Sequence, residues 1–70
     1  LMEYETDIVN KKVNEFMINV LKNNGFNMKN NKDCIEFYTP KKNRLIFKSE
    51  KYDTHYEVTF VENLFLKETA

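Results

Sequence analysis

A single cysteine, Cys34, excludes an intrachain disulfide, and one cysteine with one histidine, His55, cannot assemble a four-ligand zinc site. One glycine, Gly25, is too few to write either common phosphate-binding loop. The only serine, Ser49, has no neighbouring motif that would make it a nucleophile. No stretch approaches the roughly 18 apolar residues of a membrane span, and there is no signal-peptide core. Neither sign of charge dominates: eleven Lys and Arg balance eleven Asp and Glu, which argues against a strong polyanion binder. These shortages lead us to expect a cytoplasmic, non-enzymatic domain with no catalytic site, metal or cofactor and no membrane partner.

Seventy residues make one domain, 1–70, with a core small enough that a partner subunit would add useful stability. The charge is unevenly spread. Residues 1–9 carry three acids and residues 52–70 are net acidic, while residues 10–51 hold ten Lys and Arg against four Asp and Glu. Ten Asn and ten Lys suggest an AT-rich coding sequence, such as that of a low-GC bacterium or its phage. Leu1 ahead of Met2 reads as a vestige of an expression tag, with Met2 the expected natural start.

Apolar residues Val9, Val13, Phe16, Met17, Val20 and Leu21 recur at spacings of three and four. That is the stripe of an amphipathic helix, expected over residues 7–24 with Asn14 among its outward residues. Thr6 or Asp7 would cap its start. Gly25 would end it in the left-handed conformation, with Phe26 folding back onto Leu21.

Four short alternating segments follow, over residues 26–29, 34–39, 44–49 and 54–61, separated by gaps of turn-forming residues. The expected fold is α+β: one N-terminal helix on a four-stranded antiparallel meander in the order 1-2-3-4, then a short helix or turn over residues 62–70. Pairing across the turns sets Met28 opposite Ile35, Phe37 opposite Leu45 and Phe47 opposite Tyr56. With Phe26, Val58 and Phe60 these side chains share one face, the one the helix should cover. The other face then carries three rows. Lys29, Cys34, Lys48 and His55 form one, and Asn27, Glu36, Ile46 and Glu57 the next. Tyr38, Arg44 and Thr59 form the third, with Val61 nearby.

Catalysis has little to build on in this arrangement. Cys34 and His55 lie two strands apart, about 10 Å at the backbone, with no third residue to orient the imidazole. Lys48 beside Cys34 would lower the thiol pKa, which is reactivity and not catalysis. Glu36 and Glu57 stand at a similar separation, without the cleft that a carboxylate pair needs. The element order resembles that of the double-stranded-RNA-binding domain, a likeness that would imply RNA contacts from a lysine-rich C-terminal helix. Residues 62–70 are acidic, with Lys67 their only base, so the likeness stops at element order.

The expected function is therefore a small protein-interaction module, an inhibitor, adaptor or regulator of a larger protein. Its partner-binding set would be Tyr38, Arg44, Ile46, Lys48, His55 and Val61 on the open face. The open edge of the fourth predicted strand, or the apolar Leu64, Phe65 and Leu66 of the tail, would support a homodimer. The alternative is nucleic-acid binding through Lys22, Lys41, Lys42 and Arg44, gathered at one end of the sheet.

Overall fold

The computed structural model describes residues 3–61, which form β1 (Tyr4–Val9), α1 (Lys11–Asn23), β2 (Asn27–Asn31), β3 (Cys34–Tyr38), β4 (Leu45–Lys51) and β5 (Tyr56–Val61). The strands make one antiparallel sheet in the order β1-β5-β4-β3-β2. The α+β class and the consecutive meander hold, with one strand more than expected. Residues 62–70, and with them the expected short helix or turn, lie outside the described residues.

The extra strand corrects the reading of the N-terminus. Helix α1 begins at Lys11, and the residues before it pair with β5 from Tyr4 opposite Val61 to Val9 opposite Tyr56. Strand β5 would otherwise leave a full edge of backbone donors and acceptors unpaired, and β1 satisfies it. Alternation of Tyr4, Thr6 and Ile8 with Glu5, Asp7 and Val9 suits a strand, and Thr6 meets Thr59 hydroxyl to hydroxyl at 3.2 Å. The helix cap is Asn10, not Thr6 or Asp7: its extended backbone (φ −84°, ψ 175°) lets its Oδ1 accept from the Val13 N–H at 2.9 Å.

The other end of α1 closes as expected. Gly25 has φ +79°, the Phe26 N–H donates to the Leu21 carbonyl and the Gly25 N–H to that of Lys22. That double bond pattern, with Phe26 packed on the cluster that holds Leu21, is the Schellman closure.

The helix is rotated from its expected seating. Its buried residues are Asn14, Met17, Ile18 and Leu21, whereas Val13 and Phe16 of the expected stripe are exposed. At 100° per residue, the seated face lies about 80° from the centre of the apolar stripe. The reason is a polar bond. Asn14 is buried, not outward, and its Oδ1 accepts a hydrogen bond from the buried Ser49 hydroxyl at 2.5 Å.

Met17, Ile18 and Leu21 of the helix share one cluster with Phe37, Phe47, Val58 and Ile46, and Val9, Phe26, Ile35, Phe60 and Val61 pack against it partly buried. Phe37 and Phe47 contact edge to face at 6.0 Å. The strand registers differ from the expected ones, because the turns differ. Lys32 and Asp33 alone make the first turn, and the third comprises residues 52–55. Met28 pairs with Phe37, Phe37 with Phe47 and Phe47 with Phe60, slips of two, two and four residues. Even slips keep every side chain on its face, so the core composition survives the misplaced turns.

One irregularity breaks that rule. The β3–β4 register shifts between Phe37 and Tyr38, so Tyr38 pairs with Leu45 and Ile46 has no cross-strand partner. Consecutive Ile46 and Phe47 are both buried, and the shift moves Leu45 from the core set to the row of Tyr38.

Candidate functional site

The sheet face away from the helix differs from the expected one in its rows. Cys34 pairs with Glu50, and Glu50 with Glu57, which faces Ile8. In the next row Lys29 pairs with Glu36, Glu36 with Lys48 and Lys48 with Thr59. Opposite charges thus face one another across that row. The Lys48 ammonium also lies 3.5 Å from a Glu50 carboxylate oxygen, and the Lys29 ammonium lies 5.1 Å from the centre of the Tyr38 ring. Burial first, and then Glu36, push the Tyr38 phenol above its ordinary pKa.

These rows overturn the expected activation of Cys34. Lys48 stands beside Glu36, not beside the thiol. Burial, then Glu36 and Glu50, raise the thiol pKa above 9.0, against a smaller opposing effect of Lys48. His55 is not on this face at all. It sits in the turn after β4, stacked on Tyr52 at 5.1 Å, with Nδ1 3.2 Å from the Thr54 hydroxyl. Ser49 donates to an amide oxygen and has no base beside it, so it is not poised as a nucleophile. A recess of about 240 Å³ between α1 and the sheet, lined in part by Asn14, Cys34, Ser49 and Tyr56, therefore holds no nucleophile–base pair. Among the described residues no three His, Cys, Asp or Glu gather as a metal site.

The partner-binding set is dispersed. Ile46 is only 3 % exposed and is not available to a partner. Val61 is partly buried against the core opposite Tyr4, and His55 lies at the far end of the sheet. Tyr38 and Lys48 remain on the open face, and Arg44 stands at the β3–β4 loop. The edge expected to pair in a homodimer is already occupied, since β5 lies inside the sheet between β1 and β4. The tail residues Leu64, Phe65 and Leu66 lie outside the described residues.

The cationic set is brought together instead. In the β3–β4 loop the Thr39 N–H donates to the Arg44 carbonyl, the Asn43 N–H to the Thr39 carbonyl, and the Arg44 N–H to the Thr39 hydroxyl. Asn43 adopts φ +53°, a conformation its short polar side chain tolerates, and Pro40 stiffens the start of the loop. This braced loop faces Phe26, delivered to the same end of the sheet by the Gly25 closure. Phe26, Thr39, Pro40, Lys41, Lys42 and Arg44 line a predominantly apolar groove of about 510 Å³. Lys22, in the last turn of α1, belongs to this end as well. Sequence reasoning found the cations but not the groove's apolar wall. The signal was available in Phe26 following a helix-ending glycine and in Pro40 opening a four-residue loop.

The architecture defines a class no narrower than a small α+β domain, one helix over a five-stranded antiparallel sheet. No protein-family model, curated protein or solved structure matches the chain significantly. Among the described residues no helix is long and apolar enough to cross a membrane.

Proposed function

We propose that the domain is a small non-enzymatic protein-interaction module that inhibits, adapts or regulates a larger protein in a reducing, cytosolic setting. The observation that carries the reading is the groove at the β3–β4 loop: an apolar wall from Phe26 and Pro40 with Lys41, Lys42 and Arg44 beside it. Apolar surface held open between hydrogen-bonded elements, with an arginine at its margin, is the composition of an interface anchor site. Tyr38 and Lys48 on the adjoining open face extend the contact; Ile46 does not.

A second reading, nucleic-acid binding, is favoured by the convergence of Lys41, Lys42 and Arg44 with Lys22 nearby. Against it stand Glu36, Glu50 and Glu57 on the open face and the zero net charge. Affinity capture from lysate, with and without nuclease, separates the two. The interaction-module reading expects a stoichiometric protein that survives nuclease, is lost with K41E/K42E, and dissociates with little dependence on salt. Loss of every protein after nuclease, with a steep salt response, would establish the second reading. A partner retained by K41E/K42E would remove the groove from the proposal.

A further inference from the structure

The two stretches of chain that meet at the β3–β4 loop contain no acid. Between Glu15 and Asp33 the charged residues are Lys22, Lys29 and Lys32, and between Glu36 and Glu50 they are Lys41, Lys42, Arg44 and Lys48. Positive charge at this end is thus uncompensated by any neighbour in sequence. Nor is it compensated in space: among the described residues no carboxylate pairs with Lys22, Lys41 or Lys42, whereas Lys48 has Glu50. The end of α1 offers little to repel an anion. The carbonyls of Val20, Leu21 and Lys22 are already engaged, by Asn24, Phe26 and Gly25 respectively, so few bare acceptors remain there.

Beside these cations lies the apolar wall of the groove. Phe26 packs against the core and also lines the groove with Pro40. The loop is tied across itself from Thr39 to Asn43 and Arg44, so the groove is formed before anything enters it and little ordering remains to be done on binding. A ligand that is only anionic would leave the apolar wall unused. One that is only apolar would leave the lysines unanswered. A second copy of the chain docked through this same end would set its cations against these.

We propose that the groove takes a segment of a partner protein in which one aromatic side chain stands between Asp or Glu residues, an inference that rests on the interaction-module reading. The aromatic ring lies on Phe26 and Pro40, and the carboxylates face Lys41 and Lys42 on the loop and Lys22 on the last turn of α1. Burying the ring against the wall raises affinity about tenfold or more. Each exposed charge pair changes it about two- to fivefold, so two of them give about a tenfold preference for acidic flanks.

The test titrates the isotopically labelled chain with three capped pentapeptides: Phe flanked by pairs of Asp, Ala flanked by pairs of Asp, and Phe flanked by pairs of Lys. The Asp-flanked Phe peptide should shift the amides of Phe26, Lys41 and Lys42 and bind about tenfold more tightly than either of the others. K41Q/K42Q, two changes on an exposed loop, should bring the two Phe peptides to within about threefold, and K41E/K42E should reverse their order. No shift at those amides, equal binding of the Ala peptide, or an acid preference that K41Q/K42Q leaves intact would overturn the proposal. Tighter binding of a thymidine hexanucleotide than of the Asp-flanked Phe peptide would overturn it too, and would assign this end to nucleic acid. If no peptide binds while a nuclease-resistant partner from lysate is still lost with K41E/K42E, the acidic segment fails and the interaction-module reading stands. Loss of all captured protein after nuclease fails that reading itself.

Discussion

The two faces of the sheet are built from the same strands and the same backbone ladder, yet they answer to different physics. On the helix side, Phe37, Phe47 and Val58 are fully buried, and the one polar pair, Asn14 with Ser49, is closed on itself. On the other side, exposed Lys29 and half-buried Glu36 and Lys48 face each other in one row, and Glu50 is set against Glu57. Shape and hydrogen-bond completeness hold the first face, while the second carries ion pairs and cation–ring contacts that solvent screens. Substitutions should therefore be costly on one face and nearly silent on the other.

Phe47→Ala should do the most damage. Removing a fully buried ring that contacts Phe37 should cost about 3–5 kcal/mol, seen as a large fall in the denaturant midpoint, and a loss below about 1 kcal/mol would mean the core is not organised as described. Ser49→Ala comes next. It leaves the buried Asn14 oxygen without its donor and should cost about 1–3 kcal/mol, more than a methyl-sized deletion alone. Gly25→Ala probes the seating of the helix on the covered face. No atom lies within 4 Å of where the new Cβ would stand, so the cost reduces to the left-handed backbone, about 1–2 kcal/mol by chemical denaturation. Lys48→Ala, on the open face, should cost no more than about 1 kcal/mol, because its pair with Glu50 is well exposed.

The smallest effect is on Cys34. Its thiol pKa is raised above 9.0 by burial and by Glu36 and Glu50, so alkylation near neutral pH should be slower than for a free thiol. Glu50→Gln should lower the thiol pKa and quicken the reaction. The unfolded thiol ionises first as pH rises. The stability tied to the neutral thiol is thus complete below 9.0 and lost as pH climbs through the folded value. Melting of the wild type should accordingly fall relative to Cys34→Ala as pH rises through and above 9.0. Parallel melting curves across that range would contradict the environment assigned to the thiol.

The same contrast explains how much was legible in the sequence. The face composition was readable, because period-two alternation survives errors of two or four residues in register, and the registers slipped by such steps. Closure of the helix at Gly25 was readable because left-handed backbone has a residue preference of its own. Rows were not readable: a slip that spares faces still changes neighbours, which is how Lys48 came to be placed beside Cys34 and not Glu36. Part of the candidate site was legible too, as the cations Lys41, Lys42 and Arg44, but its apolar wall depends on a contact between two loops.

The sequence by itself determined the class, the meander, the strand faces and the helix with its C-terminal closure, since each rests on local pattern and backbone preference. Only the tertiary structure decided that residues 4–9 are a strand, that Ile46 is buried beside Phe47, that Asn14 turns the helix inward, and that Phe26 meets the β3–β4 loop. Each of these follows from a partner distant in the chain. β5 gives residues 4–9 a ladder, Ser49 gives Asn14 a donor, and a register shift against β3 moves Leu45 into the row of Tyr38. Local propensity cannot weigh a hydrogen bond whose other half lies 35 residues away.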